Sequence, residues 1–374
     1  MLASESPLPP TSGFRLRTLH LARQLSQITE VELAVLGPAP AMADEGFEIT
    51  SVGSARPRMQ ALLRSATQPY LASKLDRSPF APIVGSRRWG TVQAELSVLV
   101  PPEGRDRPPV VLNAHNVESE LVATFADLET RPLMRARWRW EVAKTRRHEA
   151  AVVRSLDGAC ATSDLDASAL ERLGARRIVV VPNGVSTDDV AFCSASGSHL
   201  VAYVGHFGYR PNASAALELI DGVLPRLRQL VPDAAALLVG RDPTPEMRRR
   251  AGPTVQVTGE VTDVLPHLRL AGALVVPLRA GSGTRLKVLE AMSAGVPVVS
   301  TPFGATGIDA VDGRELLLGE TAEELAAAAA RLLGDAPLAA RLAAAARRLV
   351  VDRYDWRVVA RPLLQLHADL GAVP

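Results

Sequence analysis

Two cations and a carboxylate stand close together in one short stretch, Gly281–Ser282–Gly283–Thr284–Arg285–Leu286–Lys287–Val288–Leu289–Glu290. A glycine loop followed by fixed positive charge suits phosphate. The loop and a helix N-terminus present backbone N–H groups, and Arg285 and Lys287 can converge on the same oxygens. Glu290 calls for a different partner. Three helical positions beyond Lys287, it lies on nearly the same face but about 4.5 Å further along the axis, where a carboxylate can accept hydrogen bonds from a sugar diol. Phosphate beside diol is nucleotide chemistry. A second reading stays open on these residues alone: an ordinary crossover helix with an exposed Lys287–Glu290 pair worth about 0.2–0.5 kcal/mol.

The elements that would position these groups can be read on either side. An apolar strand over 273–278 precedes the loop, a helix follows from about Thr284, and Gly295–Val–Pro–Val–Val–Ser–Thr301 supplies the next strand. That is one parallel crossover unit with its loop beyond a strand's carboxyl end, where open α/β sheets bind ligands. Strands over 200–205, 235–239 and 254–258 alternate with helices over 212–230 and 263–270, and Ala-rich helices over 322–333 and 338–350 follow. Upstream, a Pro- and Gly-containing loop at 7–13 leads into an amphipathic helix over 14–27 and a strand over 31–36. Residues 40–108 read poorly, with helices only over 59–74 and 87–100. A strand over 110–114 ends in His115–Asn116–Val117–Glu118, a long helix covers 132–155, and strands follow at 158–161 and 178–181. Only Met1–Leu2–Ala3 are available for an opening strand, which is then very short unless the true start lies upstream. This alternation predicts an α/β chain of two doubly wound, Rossmann-like domains facing across a cleft, with Ser186–Ser198 as linker. The expected boundaries are 1–190, joined by a C-terminal helix over 355–374, and 199–352.

Composition agrees. A length of 374 residues favours two domains, and 47% hydrophobic with 22% charged residues is a globular balance. A formal charge of +2 is too near zero to point to nucleic acid. Cys160 and Cys193 are the only cysteines, too few for a disulfide framework or zinc cluster, and no cleavable signal or long apolar run occurs, so a reduced, cytoplasmic setting is expected. Asp164–Leu165–Asp166 reads as a helix cap rather than a metal pair.

Several strings occur in a recognisable order: Val–Pro–Asn183–Gly–Val, Tyr–Val–Gly205, Leu–Val–Gly240–Arg, Val–Thr–Gly259–Glu260–Val261 and Gly–Thr–Arg285–Leu–Lys287–Val–Leu–Glu290–Ala–Met. With Pro–Leu–Pro–Pro–Thr–Ser–Gly13–Phe–Arg–Leu–Arg17 and His115–Asn–Val–Glu118, they resemble a bacterial branch of the retaining glycosyltransferase family 4, which has the GT-B fold. The resemblance spans most of the chain. It implies a nucleotide-sugar donor held mainly by the C-terminal domain, with Glu290 on the ribose and Gly259, Glu260 and Val261 near the base. Arg285 and Lys287 would hold the diphosphate, with Gly205, His206 and Asn212 close by, and the Gly13 loop would close over it. Gly281, Ser282, Gly283 and Thr284 would meet the sugar, and His115 would face it across the cleft. Asn116, Glu118 and Asn183 would stand on the acceptor or sugar side. Without the resemblance the favoured reading of His115 is a packing or capping residue after a strand, and that of Asn183 a turn residue before Gly184.

Two departures from the family pattern bear on function. Ser282 stands where many members carry a glutamate toward the donor sugar, and His206–Phe–Gly–Tyr–Arg210 replaces an Arg and Lys after the glycine matching Gly205. The cations needed by a leaving diphosphate are then Arg285 and Lys287. Cations and a helix N-terminus can stabilise that leaving group without a metal, so a metal-independent, cofactor-free transferase is expected. The resemblance implies retention of anomeric configuration. The rival reading is a catalytically idle GT-B protein that binds a nucleotide sugar or a partner. The acceptor (small molecule, saccharide or lipid) and the oligomeric state have no readable motif.

Residues 131–147 carry Arg131, Arg135, Arg137, Arg139, Lys144, Arg146 and Arg147 with Trp138 and Trp140. Such a composition can dock on anionic membrane. The two tryptophans lie about 200° apart on a helix and cannot serve one face, so a solvated helix with one buried stripe is the favoured expectation.

Overall fold

A computed structural model describes all residues except 11, 39–44, 54–68, 70–79, 85–88, 102–106, 194–196, 282–284 and 373–374. The chain divides into two units, Met1–Pro182 with Val359–Pro374, and Asn183–Val358.

The first unit is built on β1 (Leu2–Ala3), α1 (Gly13–Ser26), β2 (Glu32–Leu36), β3 (Glu48–Gly53), β4 (Val92–Ala94), β5 (Val110–Asn113), α2 (Glu118–Leu128), α3 (Pro132–Arg154), β6 (Gly158–Ala161), α4 (Asp164–Leu173) and β7 (Ile178–Val180). Its sheet is parallel in the order β3-β2-β1-β4-β5-β6-β7. The order reverses between β1 and β4, so their carboxyl ends flank a crevice. The two-residue β1 pairs with both β2 and β4. Buried Leu2, Ala34, Ala94 and Leu112 from these strands meet in one core.

The helix expected over 87–100 is instead strand β4 followed by a 3-10 turn at Ser97–Leu99. Gln93 and Glu95 are both buried with hydrogen-bond partners. The helix expected over 59–74 lies largely outside the described residues. Ser163 caps α4 by accepting from the Asp166 N–H, with Asp164 and Asp166 in the first turn.

The second unit contains β8 (Leu200–Val204), α5 (Arg210–Glu218), α6 (Leu224–Leu230), β9 (Ala235–Val239), α7 (Pro245–Arg250), β10 (Val255–Val257), α8 (Leu265–Arg269), β11 (Ala273–Val276), α9 (Leu286–Ala294), β12 (Val298–Ser300), β13 (Leu317–Leu318), α10 (Ala322–Gly334) and α11 (Ala336–Arg353). The sheet order is β10-β9-β8-β11-β12-β13, all parallel. Its strands are almost unbroken apolar runs because both faces are covered, and their side chains form one buried core. The helix expected over 212–230 is continuous but relaxes to a π turn at Leu219–Val223, where the Leu224 N–H reaches the Leu219 carbonyl. Pro225 explains the turn: its ring would clash with a carbonyl one α-turn back. Two last helices, α12 (Trp356–Val359) and α13 (Arg361–Asp369), end the chain, and α13 packs its Leu363 and Leu366 into the first unit. The change of unit at Pro182–Asn183 precedes the Ser186–Ser198 stretch, which runs within the second unit.

Candidate active site

The order of the second sheet reverses between β8 and β11, and the described donor residues expected on this unit lie beyond the carboxyl ends of β8 to β11, whereas Gly13 belongs to the first unit. Gly205, Gly240 and Gly259 follow β8, β9 and β10. A Cβ on Gly240 would come within 1.9 Å of the Gly205 carbonyl oxygen, and Gly240 has φ +142°, so side-chain-free backbone is required there. A Cβ on Gly205 would meet Asn212 at 3.1 Å. Asn212 belongs to α5 and donates from Nδ2 to the His206 carbonyl at 3.1 Å. The exposed His206 pairs through Nε2 with Asp242 at 2.8 Å, and Asp242 adopts φ 56° to do so.

Lys287 lies in the first turn of α9 and reaches back to β8. Its Nζ donates to the Tyr203 hydroxyl at 3.0 Å and to Asn212 Oδ1 at 2.9 Å, and lies 4.2 Å from the Tyr203 ring centroid. Tyr203 also donates to Asn212 at 3.0 Å. Burial, and next the Arg285 guanidinium, hold the Lys287 ammonium down at about 7 against the pull of Glu290. Burial raises Glu290 to about 7, with Asp263 adding to the rise and Lys287 opposing it. Lys287 and Glu290 are both half-buried, each acts on the other's charge, and of the Gly259–Asp263 segment Asp263 acts on Glu290.

Arg285 immediately precedes α9 and is buried; its guanidinium carbon sits 5.0 Å from the Phe303 ring centroid. The Cβ direction of Gly281, which has φ +124°, lies 3.6 Å from both Arg285 Nη1 and the Tyr209 hydroxyl. Ser282, Gly283 and Thr284 fall outside the described residues. Helix α9 begins at Leu286, and its C-terminus turns at Gly295 with φ +84°, where a Cβ would meet the Cys193 carbonyl at 2.2 Å. Glu260 is exposed and Val261 half-buried.

In the first unit His115 follows β5, and its Nε2 meets Glu95 Oε2 at 2.9 Å. Glu95 lies just beyond β4, is fully buried, and also accepts from Thr18 at 3.1 Å, Gln93 at 2.6 Å and Asn113 at 2.8 Å. Burial pushes the Glu95 carboxyl up, but hydrogen bonds from His115, Gln93 and Asn113 outweigh it and keep the acid below its usual range. Burial lowers His115 in turn. The pair is thus a carboxylate receiving Nε2–H from a neutral imidazole, which leaves Nδ1 as the acceptor. The Phe14 ring lies against this imidazole, centroids 4.3 Å apart, one residue beyond Gly13 at the start of α1. Arg17, also buried, donates to Asn113 Oδ1 at 3.0 and 2.9 Å and to the Val181 carbonyl at 2.7 Å.

The acceptor-side expectations separate. Glu118 turns away from His115: its carboxylate accepts from the Ser97 N–H and hydroxyl at 3.2 and 2.9 Å, and burial and Glu149 push it up to about 7. It ties the start of α2 to the Ser97–Leu99 turn, while Glu149 accepts from the Glu118 and Ser119 N–H groups. Asn116 is half-buried, and Asn183 groups with the second unit rather than the first. Tyr203, Tyr209, Asp263 and Glu95 were not among the expected site residues. Tyr203 lies within the strand expected over 200–205, and Glu95 within the stretch expected as helix over 87–100. Among the described residues no group of at least three His, Cys, Asp or Glu side chains is gathered as a metal would need.

Comparison with known proteins bears on this arrangement. Residues 198–335, which hold the donor-side residues, match the family model described as glycosyl transferases group 1. The phosphatidyl-myo-inositol mannosyltransferase of Mycobacterium leprae is 28% identical over 96% of this chain and 93% of its own length. Two similar solved structures are HepE of Anabaena in complex with UDP, with TM-score 0.71 and 15% identity over 98% of this chain and 99% of that one, and the sucrose-phosphate synthase of Thermosynechococcus elongatus, with TM-score 0.70 and 19% identity over 99% and 98%.

Proposed function

We propose that this chain, a glycosyltransferase of the group 1, family 4-like kind on the GT-B fold, moves a sugar from a nucleoside-diphosphate donor to a hydroxyl acceptor with retention and without a metal. The observation that carries the reading is the Lys287–Tyr203–Asn212 cluster beside Arg285 at the start of α9. Cleavage of the anomeric bond builds negative charge on the departing diphosphate. A desolvated ammonium and guanidinium at a helix N-terminus oppose that charge without having to reorganise. Lys287 sits over an aromatic ring and is held down at about 7, so it gains most when a phosphate arrives to restore its charge. Glu290, one turn on, suits the ribose hydroxyls. Retention follows if the acceptor attacks from the face that the diphosphate leaves, with a phosphate oxygen taking the acceptor proton.

HepE holds UDP, and the mycobacterial relative's name gives it a lipid acceptor. Both fit the reading proposed here: a nucleotide sugar on the second unit and a hydroxyl of a small molecule, saccharide or lipid as acceptor, with His115 toward the sugar or acceptor. The test is a panel of UDP, GDP, ADP and dTDP sugars, scored by thermal shift and then by slow donor hydrolysis with and without EDTA. A base-specific stabilisation with EDTA-resistant hydrolysis supports the proposal. Hydrolysis abolished by EDTA removes its metal-independent part, and no stabilisation across the panel overturns it.

A further inference from the structure

A second concentration of positive charge lies far along the sequence from the donor residues, in the first half of α3. Every fully buried side chain of this helix, Thr145, Glu149, Val152 and Val153, belongs to its second half. The first half runs about 18 Å from Pro132 to Lys144 with α2 as its neighbour. The two tryptophans have separate tasks. Trp138 packs on Phe125 of α2, ring centroids 5.6 Å apart, whereas Trp140 is 63% exposed. Their angular separation, which counted against a shared membrane face, therefore leaves Trp140 free to join another partner. Leu133 is that partner: it is 87% exposed and, seven residues earlier, lies only about 20° away round the helix.

Ala136, Arg137, Ala143 and Arg147 are also exposed and fall within the same stripe, about 120° wide. Among the nearby acids, Glu129 is occupied by Arg131 and Glu141 by Lys144. Arg137, Arg139, Arg146 and Arg147 make no ion pair among the described residues. Apolar side chains in line with and flanked by unpaired guanidiniums are what an interface between acyl chains and anionic headgroups favours. No helix of the described residues is long and apolar enough to cross a membrane, so contact through this stripe would lie along the surface.

We propose that the exposed stripe of α3 docks the protein on an anionic lipid bilayer. Nucleic acid is the weaker fit, because the centre of the stripe is aliphatic and indole surface with no second exposed ring to stack on, and the whole chain carries only +2. The placement also has a use. Helix α2 starts three residues after His115, so the α2–α3 hairpin is tied to the strand end that carries the acceptor-side histidine. Docking there would hold the unit bearing His115 near lipid-borne hydroxyls. The proposal concerns binding alone and stands whether or not the donor reading does.

The test is co-sedimentation of the full chain with phosphatidylcholine vesicles, with and without phosphatidylglycerol, at low and high salt. Pelleting is expected only with the anionic vesicles and should weaken with salt. Arg137→Glu with Arg147→Glu, or Leu133→Ser with Trp140→Ser, should lower the partition coefficient by about tenfold or more, with thermal melts confirming that each variant folds. On the unmodified chain, lipids brominated along the acyl chain should quench part of the tryptophan emission, and Trp140→Phe should remove that part. No pelleting with anionic vesicles at low salt, or pelleting untouched by both double variants, overturns the proposal. Retention on DNA without vesicle binding, or a concentration-dependent dimer lost in the Leu133/Trp140 variant without vesicle binding, overturns it in favour of those partners.

Discussion

Lys287 carries the sharpest expectation at the scale of single residues. Its ammonium is held down at about 7 by burial and by Arg285, so the folded protein gains little from it, while a bound diphosphate gains a charge-assisted contact. Lys287→Ala should therefore cut turnover by about 10²–10³-fold, the scale of losing one preorganised donor to developing charge, while the melting temperature holds or rises. Equal losses in rate and stability would remove the phosphate role. The pH dependence follows from the same shift. Below about 7 the ammonium is already charged; above it, binding an anion must be accompanied by proton uptake, so diphosphate affinity should fall as pH rises through 7, by up to tenfold per unit. Calorimetry in buffers of different ionisation heats would read that uptake, which Lys287→Ala should abolish. Glu95 acts at one remove. As the acceptor that fixes the Nε2–H tautomer of His115, it is a positioning residue, and Glu95→Gln keeps its shape but adds a donor facing a donor. We expect kcat to fall about 10–100-fold, as when an orienting partner is taken from a functional histidine elsewhere, with donor affinity nearly unchanged because Glu95 belongs to the other unit. A fall in donor affinity as large as the fall in kcat would contradict the positioning role.

Among the elements, the ends of β8, β9 and β10 decide whether the donor site exists. Gly240 touches the Gly205 backbone so closely that Gly240→Ala must push β8 and β9 apart at the carboxyl ends that hold His206 and Asn212. A loss of about 2–3 kcal/mol in unfolding free energy is expected, and nucleotide binding should weaken further than that strain alone explains. Denaturant titration with and without nucleotide measures both. The crossover around Arg285 and Lys287 was legible because its signals are local: an apolar strand, a glycine, cations, then a helix ended by Gly295. The pairing of Lys287 with Tyr203 and Asn212 was not, since it joins three elements and a tyrosine in an apolar strand looks like core. Residues 87–100 misled for a related reason. Val92–Gln93–Ala94–Glu95 alternates as a strand does, but polar residues on the alternate positions suggest water until their buried partners Thr18, Asn113 and His367 are brought in from other parts of the chain. Long-range satisfaction of a buried acid leaves no mark in nearby sequence.

At the scale of the whole molecule the chain leaves its first unit after Pro182 and returns to it at Val359. The returning helix α13 is part of the first unit's structure. Leu363 and Leu366 are buried there, His367 bonds Thr91 at 2.8 Å and Gln93 at 2.9 Å, and Leu366 lies where a Cβ on Gly158 would be 3.1 Å away. Gln93 is the same residue that donates to Glu95, so α13 supports the network that holds His115. A chain ended after Val358 should lose two large buried side chains and leave Gln93 short of a partner. Buried leucines cost about 2–5 kcal/mol each when deleted, enough to consume much of a domain's margin of 5–15 kcal/mol. The second unit keeps its own core and every expected donor residue except Gly13. Calorimetry of the shortened chain should therefore show the first unit's transition lost or strongly lowered and the second unit's retained. Saturating nucleotide, at about 100 times its Kd, should still raise that surviving transition by about 2.7 kcal/mol of added stability. Loss of nucleotide stabilisation together with α13 would mean that the donor site depends on the first unit, and that the second does not bind the donor by itself.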